Sequence, residues 1–241
     1  MTRKTDREPL IEGPGDRFKG RRKGRSLRPR RAGLMDSLLP HLSLPVDDAE
    51  MMADPESLFD QNVRALWMET GFGGGEHLAW QAEQSRDVGI IGCEPFVNGV
   101  AGLLSYIEER NLTNVRIHPD DARVVLDALP DACIERYFLL FPDPWPKARH
   151  ANRRFVQTRT LDAIARLLKP GGEFRLGSDD MGYIRWSLPL LLRHPAFEWM
   201  AQSQEDWRVR PSDWPESRYE AKGRRAGRSS VYLCFRRREA A

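Results

Sequence analysis

Residues 69–76 read Glu-Thr-Gly-Phe-Gly-Gly-Gly-Glu, closing one apolar run and opening a stretch with helical spacing. Glycine reaches left-handed backbone without a Cβ penalty and lets a ligand come close to the main chain. The segment therefore reads as a sharp strand-to-helix turn built around a ligand. Glu94 follows Gly75 by nineteen residues and ends the next apolar run. An acid in that place takes ribose hydroxyls in nucleotide-type α/β sites. A glycine-rich turn followed by a surface glutamate is the plainer alternative.

Outward from this turn the chain alternates. Strands are expected at residues 63–69, 88–94, 115–118, 134–141 and 173–176, and helices at 75–86, 97–110, 120–129, 154–168 and 181–193. Pro170-Gly171-Gly172 marks a turn into the fifth strand. Two more strands, 197–202 and 230–237, have only a long polar loop between them. The pattern predicts an α/β protein with a Rossmann-like, doubly wound, mostly parallel seven-stranded sheet. Its last two strands, lacking a crossover helix, would form an antiparallel C-terminal strand pair. Ligands of such sheets bind beyond the carboxyl ends of the strands, near the switch point.

Charge divides the chain in two. The net charge is +3, yet residues 1–34 hold twelve Lys/Arg against four Asp/Glu, so the rest is acidic. Residues 18–25, Phe-Lys-Gly-Arg-Arg-Lys-Gly-Arg, are too basic and glycine-rich to fold alone. They read as an arm for an anionic polymer or as a solubilising tail. Leucines at 34, 38, 39 and 42 give the end of this arm helical spacing, so residues 1–44 form a basic arm with a short helix and 45–241 the main domain. A second basic patch, 218–228, carries five Lys/Arg and one acid, Glu220. Neither patch has the apolar face of a membrane-surface helix, so nucleic acid is favoured over membrane. There is no apolar run of about 18 residues and no signal-peptide pattern, which predicts a cytoplasmic protein. The three cysteines and five histidines are scattered, so reduced core thiols and no metal are expected.

The nature of the ligand follows from sign. A dinucleotide fingerprint needs a third glycine where Glu76 stands, and Glu69 adds a second acid before the loop. Two carboxylates beside a pyrophosphate are repulsive, whereas a cationic nucleoside reverses that sign. S-adenosyl-L-methionine, with a sulfonium and no phosphate, suits the pattern. Asp121, after the third strand, either accepts from an adenine amine or caps the following helix.

Residues 138–154 read Phe-Leu-Leu-Phe-Pro-Asp-Pro-Trp-Pro-Lys-Ala-Arg-His-Ala-Asn-Arg-Arg. Prolines on both sides of Asp143 stiffen the turn and aim its carboxylate out of the strand end. Trp145 offers a flat ring beside it. Lys147, Arg149, Arg153 and Arg154 form a cationic rim that no acid interrupts before Arg159. A fixed carboxylate, a stacking ring and a basic rim suit a nucleobase carried on a phosphate backbone.

Glu69, Gly71 and Gly73, Glu94, Asp121 and the element from Phe141 to Arg154 occur together and in order. This combination resembles the bacterial tRNA (guanine-N7-)-methyltransferases of the TrmB type, over nearly the whole chain. The resemblance implies a class I methyltransferase fold and S-adenosyl-L-methionine held at Glu69, Glu94, Asp121 and Asp143, with S-adenosyl-L-homocysteine as product. It gives Asp143 the catalytic place and implies a variable-loop guanine of tRNA as the target. It implies substrate contacts at Lys147, at Arg149 to Arg154, at Asp179, and along Ser217-Arg218-Tyr219-Glu220, where the family usually reads Thr-Lys-Phe-Glu. This chain departs from the family at Thr70, which replaces an aliphatic residue and loosens packing below the cofactor. It departs also at Asn152, which removes a phosphate contact, and at Asp180, where an aromatic is common. The partner is then tRNA, with no membrane and no metal, in a monomer or homodimer.

Guanine N7 has a lone pair and no proton to lose, so attack on a methyl group needs no general base. Positioning dominates, and a carboxylate near the base stabilises the cation that forms. Asp143 is assigned that role, assisted by Glu220 or Asp179, with Lys147 and Arg154 on phosphates. Three other readings stand beside this one: a methyltransferase for another RNA, DNA or protein target, an NAD-dependent oxidoreductase, and a non-catalytic RNA-binding protein. Glu76 and the acid-rich loop disfavour the oxidoreductase.

Overall fold

A computed structural model describes residues 8–13 and 18–239. The arm residues Arg3, Lys4, Arg7 and Arg17 lie outside the described residues. The chain runs through α1 (Pro29–Ser37), α2 (Leu39–Leu42), α3 (Ala49–Ala53), β1 (Ala65–Thr70), α4 (Glu76–Gln84), β2 (Val88–Cys93), α5 (Val97–Arg110), β3 (Val115–His118) and α6 (Ala122–Ala128). It continues through β4 (Ile134–Leu140), a 3₁₀ helix (Ala148–Arg153), α7 (Thr158–Leu167), β5 (Leu168–Ser178), α8 (Met181–Arg193), β6 (Phe197–Trp199), α9 (Glu205–Arg208), α10 (Arg218–Arg225) and β7 (Val231–Arg237).

The seven strands lie in the order β3-β2-β1-β4-β5-β7-β6. The first five run parallel, and β7 is antiparallel to both β5 and β6. The order reverses beside β1, which places the crevice between β1 and β4 at the switch point. Both faces of the sheet are covered, so β1 and β2 are buried at every residue, the polar Glu69 and Thr70 at the end of β1 included. Side chains still alternate. Met68, Tyr137 and Leu139 pack with Val125, Leu161, Ile164 and Tyr183 of α6, α7 and α8. Trp67, Phe138 and Leu140 pack on the other face with Leu78, Leu103 and Leu104 of α4 and α5.

Several boundaries differ from the sequence expectation for identifiable reasons. The arm helix divides at Leu38 because Pro40 cannot continue it. β5 begins at Leu168 and passes through the expected turn as a bulge. Its pairing with β4 shifts between Ile134 and Arg136, and Gly171 takes φ +78°. The polar loop before the last strand folds into α9 and α10. The helix expected from residue 154 begins only at Thr158, where the Thr160 hydroxyl accepts from the Gln157 N–H at 3.0 Å. All three cysteines are free thiols. Among the described residues no helix is long and apolar enough to cross a membrane, and no group of three potential metal-ligating side chains occurs.

Candidate active site

A cavity of about 590 Å³ opens at the carboxyl ends of the parallel strands. Its walls come from Thr70, Gly71 and Gly73 after β1, from Glu94 to Phe96 after β2, from Asp121 after β3 and from Phe141 to Asp143 after β4. Gly71 and Gly73 take φ of +72° and +57°, which is the freedom the glycine stretch was expected to supply. The buried Glu94 carboxylate accepts from the Gly73 N–H at 2.7 Å and from the Phe96 N–H at 2.8 Å. Burial pushes its carboxyl up to about 7, with the two N–H donors opposing and Asp143 and Glu69 reinforcing the rise. Asp121 lines the cavity and also caps α6, accepting from the Arg123 N–H at 3.1 Å and pairing with the Arg123 guanidinium at 2.6 Å. The capping reading is thus observed, and the place on the cavity wall leaves the residue within the site.

Glu69 is placed differently from the expected cofactor contact. Strand alternation turns it away from Thr70, and it is not among the cavity walls. It is buried, and His77 Nδ1 donates to its carboxylate at 2.7 Å. Gln81 continues this line, with Nε2 3.1 Å from His77 Nε2 and donating to the Asp213 carbonyl at 2.7 Å. Thr70, expected to loosen the packing below the cofactor, is buried, and its hydroxyl lies 2.5 Å from the buried Tyr137 hydroxyl.

The turn after β4 carries backbone strain. Phe141 and Trp145 take φ of +48° and +43°, although neither is glycine. Each such residue costs on the order of 1–3 kcal/mol and persists only where its surroundings over-determine it. Asp143 stands between them on the cavity wall, with no hydrogen-bond partner among the described residues. It is open to solvent at one side, yet the surrounding walls hold its carboxyl above the ordinary aspartate range. His150 meets the Trp145 ring edge-on at 5.7 Å, and the Arg153 guanidinium lies 5.0 Å from that ring. Lys147 and Arg149 are exposed and make no ion pair among the described residues. Arg154, expected on a phosphate, lines the cavity and donates to the Pro144 and Trp145 carbonyls, each at 3.1 Å.

The remaining expected substrate residues gather on the far side of the glycine turn, outside the cavity walls. The Asp179 carboxylate accepts from Arg228 Nε at 2.8 Å, beside a second cavity of about 690 Å³. The Ser217 hydroxyl caps α10, accepting from the Glu220 N–H at 3.2 Å. Glu220 is buried; one carboxylate oxygen accepts from the Tyr232 hydroxyl and lies 3.4 Å from Arg210 Nε, and the other has no partner among the described residues. Arg218 pairs with Glu76 at 3.1 Å. The side chain of Tyr219 lies outside the described residues.

The described part of the arm is anchored to the domain. The Arg22 carbonyl accepts from the Val97 N–H at 2.9 Å, Asn98 bonds the main chain of Gly24 and Arg25 at 2.7 Å each, and Arg22 pairs with Asp120 at 2.6 Å. Phe18, Lys19 and Arg21 thereby become cavity wall. The sequence reading missed this, because most of the arm's anchoring groups are main-chain, and its ion pair, Arg22–Asp120, joins residues far apart in the chain. It also missed Gly99, visible only as an odd glycine inside a helix pattern. A Cβ there would lie 2.1 Å from the Gly73 carbonyl oxygen, so α5 can press on the glycine turn only without one. Gly99→Ala is expected to cost about 1–3 kcal/mol of stability through overpacking and to weaken ligand binding at Gly73. Thermal melts with and without cofactor check this; an unchanged ligand-induced shift in Tm would separate Gly99 from the site.

A protein-family model described as "Putative methyltransferase" matches residues 63–233. A tRNA (guanine-N(7)-)-methyltransferase from Rhodospirillum rubrum is 55% identical over 225 residues, covering 92% of this chain and 88% of that protein. Another of the same name from Zymomonas mobilis subsp. mobilis is 46% identical, covering 98% of this chain and 100% of that protein. A solved rRNA methylase from Streptococcus thermophilus is similar in fold alone, with a TM-score of 0.50 at 11% identity, covering 79% of this chain and 92% of that one.

Proposed function

The chain belongs to the tRNA (guanine-N7-)-methyltransferase family, and from that premise we propose that it transfers the methyl group of S-adenosyl-L-methionine to N7 of a guanine in tRNA, releasing S-adenosyl-L-homocysteine. The observation that carries the reading is Asp143, an unpartnered carboxylate on the cavity wall that also holds Glu94 and Asp121, fixed between two left-handed aromatic residues.

The residues present fit the cofactor. Glu94 offers a buried carboxylate to ribose hydroxyls, and Glu94 and Asp143, wall carboxylates with no ion pair among the described residues, favour positive charge on a ligand group beside them. When bound, the cofactor supplies an electrophilic methyl group. Asp143 accepts from the guanine N1–H and exocyclic amine and faces the positive charge that moves onto the purine. Lys147, Arg149 and Arg153 supply charge for tRNA phosphates, and Asp179 and the Ser217–Glu220 stretch, which lie outside the cavity walls, are assigned to further substrate contacts. Bringing the base out of its stack costs a few kcal/mol. Labelled cofactor incubated with unmodified tRNA, followed by nucleoside analysis, tests the whole reading. N7-methylguanosine is expected; label in another nucleoside, or none in RNA, would overturn it.

The arm, residues 1–44, serves affinity and cofactor enclosure and leaves selection of the base to the 45–241 domain. Removing residues 1–25 is expected to flatten the dependence of log K on log salt by about 0.7–0.9 for each phosphate the arm no longer neutralises. It should also weaken cofactor binding, because Phe18, Lys19 and Arg21 leave the cavity wall. The methylated position should stay the same. Mapping that position with full-length and truncated protein decides the division of labour, and scattered methylation after truncation would refute it.

A further inference from the structure

We infer that Arg154 is a positioning residue: its guanidinium holds the backbone of the 142–145 turn, and through it the carboxylate of Asp143, against α8. This rests on the role proposed above for Asp143 at guanine. Read as sequence, Arg153 and Arg154 are two equal members of a basic rim. In the fold they separate. Arg153 covers the outer Trp145 ring, near the exposed Lys147 and Arg149, where a phosphate can reach it. Arg154 turns inward at the end of the 3₁₀ helix. Its Nε donates to the Pro144 carbonyl and its terminal nitrogen to the Trp145 carbonyl, both at 3.1 Å.

The turn needs an outside partner. Pro142 and Pro144 have no N–H to give, so the turn has few hydrogen bonds of its own. Trp145, whose carbonyl Arg154 holds, is left-handed. Asp143 lies between the two prolines, and no hydrogen bond from the described residues orients its side chain, so its aim depends on the backbone. The guanidinium is itself fixed from behind. It lies 4.7 Å from the Trp186 ring on α8, and Trp186 Nε1 donates to the Val156 carbonyl at 2.7 Å. The Val156 N–H in turn donates to the Tyr183 hydroxyl on the same helix at 3.3 Å. A planar fork with two donors suits two successive carbonyls above an aromatic face, and a lysine ammonium supplies neither the fork nor the plane.

The test compares Arg154→Lys and Arg154→Ala with the parent protein, each checked by circular dichroism and assayed well below its own Tm. Both variants are expected to lose at least about tenfold in kcat, since a small misplacement of a reacting group is costly. KM for tRNA and the salt slope of tRNA binding should stay near the parent values. Trp186→Leu, which leaves every cationic side chain in place, should also lower kcat with the salt slope unchanged. In an Asp143→Ala background, Arg154→Lys should cost little more, because its effect runs through the residue already removed. A phosphate contact gives the opposite result: Arg154→Lys near parental activity, and Arg154→Ala with raised KM and a salt slope lower by about one. That result, or full additivity with Asp143→Ala, would overturn the inference. Failure of the parent protein to methylate guanine N7 would instead refute the reading of the site on which the inference rests.

Discussion

Asp143→Ala is expected to lower kcat by about 10²–10³ with a smaller change in KM, as loss of one preorganised electrostatic partner does elsewhere. The carboxylate meets a charge that is absent in the ground state and appears on the purine only as the methyl group moves. An interaction of that kind appears in kcat. Asp143→Asn keeps the shape and removes the charge, so it should lose much of the same factor. Full kcat in the asparagine variant would refute charge stabilisation. Stability should move the other way. The surrounding walls hold the Asp143 carboxyl above its ordinary range, and the group has no partner among the described residues. Its ionised form is therefore disfavoured by folding, and at neutral pH the alanine variant should melt at or above the parent temperature. A fall in Tm together with kcat would point to a structural role for Asp143. The pH response follows the same sign: activity needs the carboxylate, so kcat should fall as pH drops towards the raised pKa.

The fold was legible because both signals for it are local. Apolar runs such as 88–93 and helical spacing such as 97–110 announce strand–helix alternation, and the glycines at 71 and 73 mark the ligand turn. The side to which a residue faces was less legible. Glu69 belongs to the acid-flanked loop in sequence, but a period of two places it behind the sheet with His77. Arg154 belongs to a basic cluster in sequence, but in the fold its guanidinium meets the carbonyls of its own turn. The arm is the third case. Its composition announces charge, while its position on the cavity rim comes largely from the main-chain groups of Arg22, Gly24 and Arg25, which every sequence possesses, together with the long-range pair Arg22–Asp120. In each case the missing quantity is direction, which residue type does not encode.

Cofactor affinity should rise about tenfold from pH 6 to pH 8 and then level off, with Glu94 as the cause. Ribose hydroxyls donate hydrogen bonds, so the ionised carboxylate is the binding form. In the free protein burial holds that carboxyl at about 7, so it is mostly protonated at pH 6 and mostly ionised at pH 8. Each pH unit below the pKa then costs close to a factor of ten in apparent affinity. Stability of the ligand-free protein has the reverse sign. The unfolded carboxyl titrates near about 4.3, so the unfolded state gives up its proton first as pH rises. The contribution of Glu94 is present in full below that value and is lost as pH climbs through about 7. The pH range that weakens the free fold is thus the range that prepares it for ligand, and bound cofactor should restore the loss. Glu94→Gln removes the titration and a charged acceptor, worth about 1.5–3 kcal/mol. It should bind more weakly than the parent at pH 8 and show a flat pH profile. Calorimetry at pH 6, 7 and 8 on both proteins separates the two effects. A parent profile as flat as that of the variant would remove Glu94 from ribose recognition, and a variant profile that still rose tenfold would assign the titration to another group, such as Asp143, whose charge acts on Glu94.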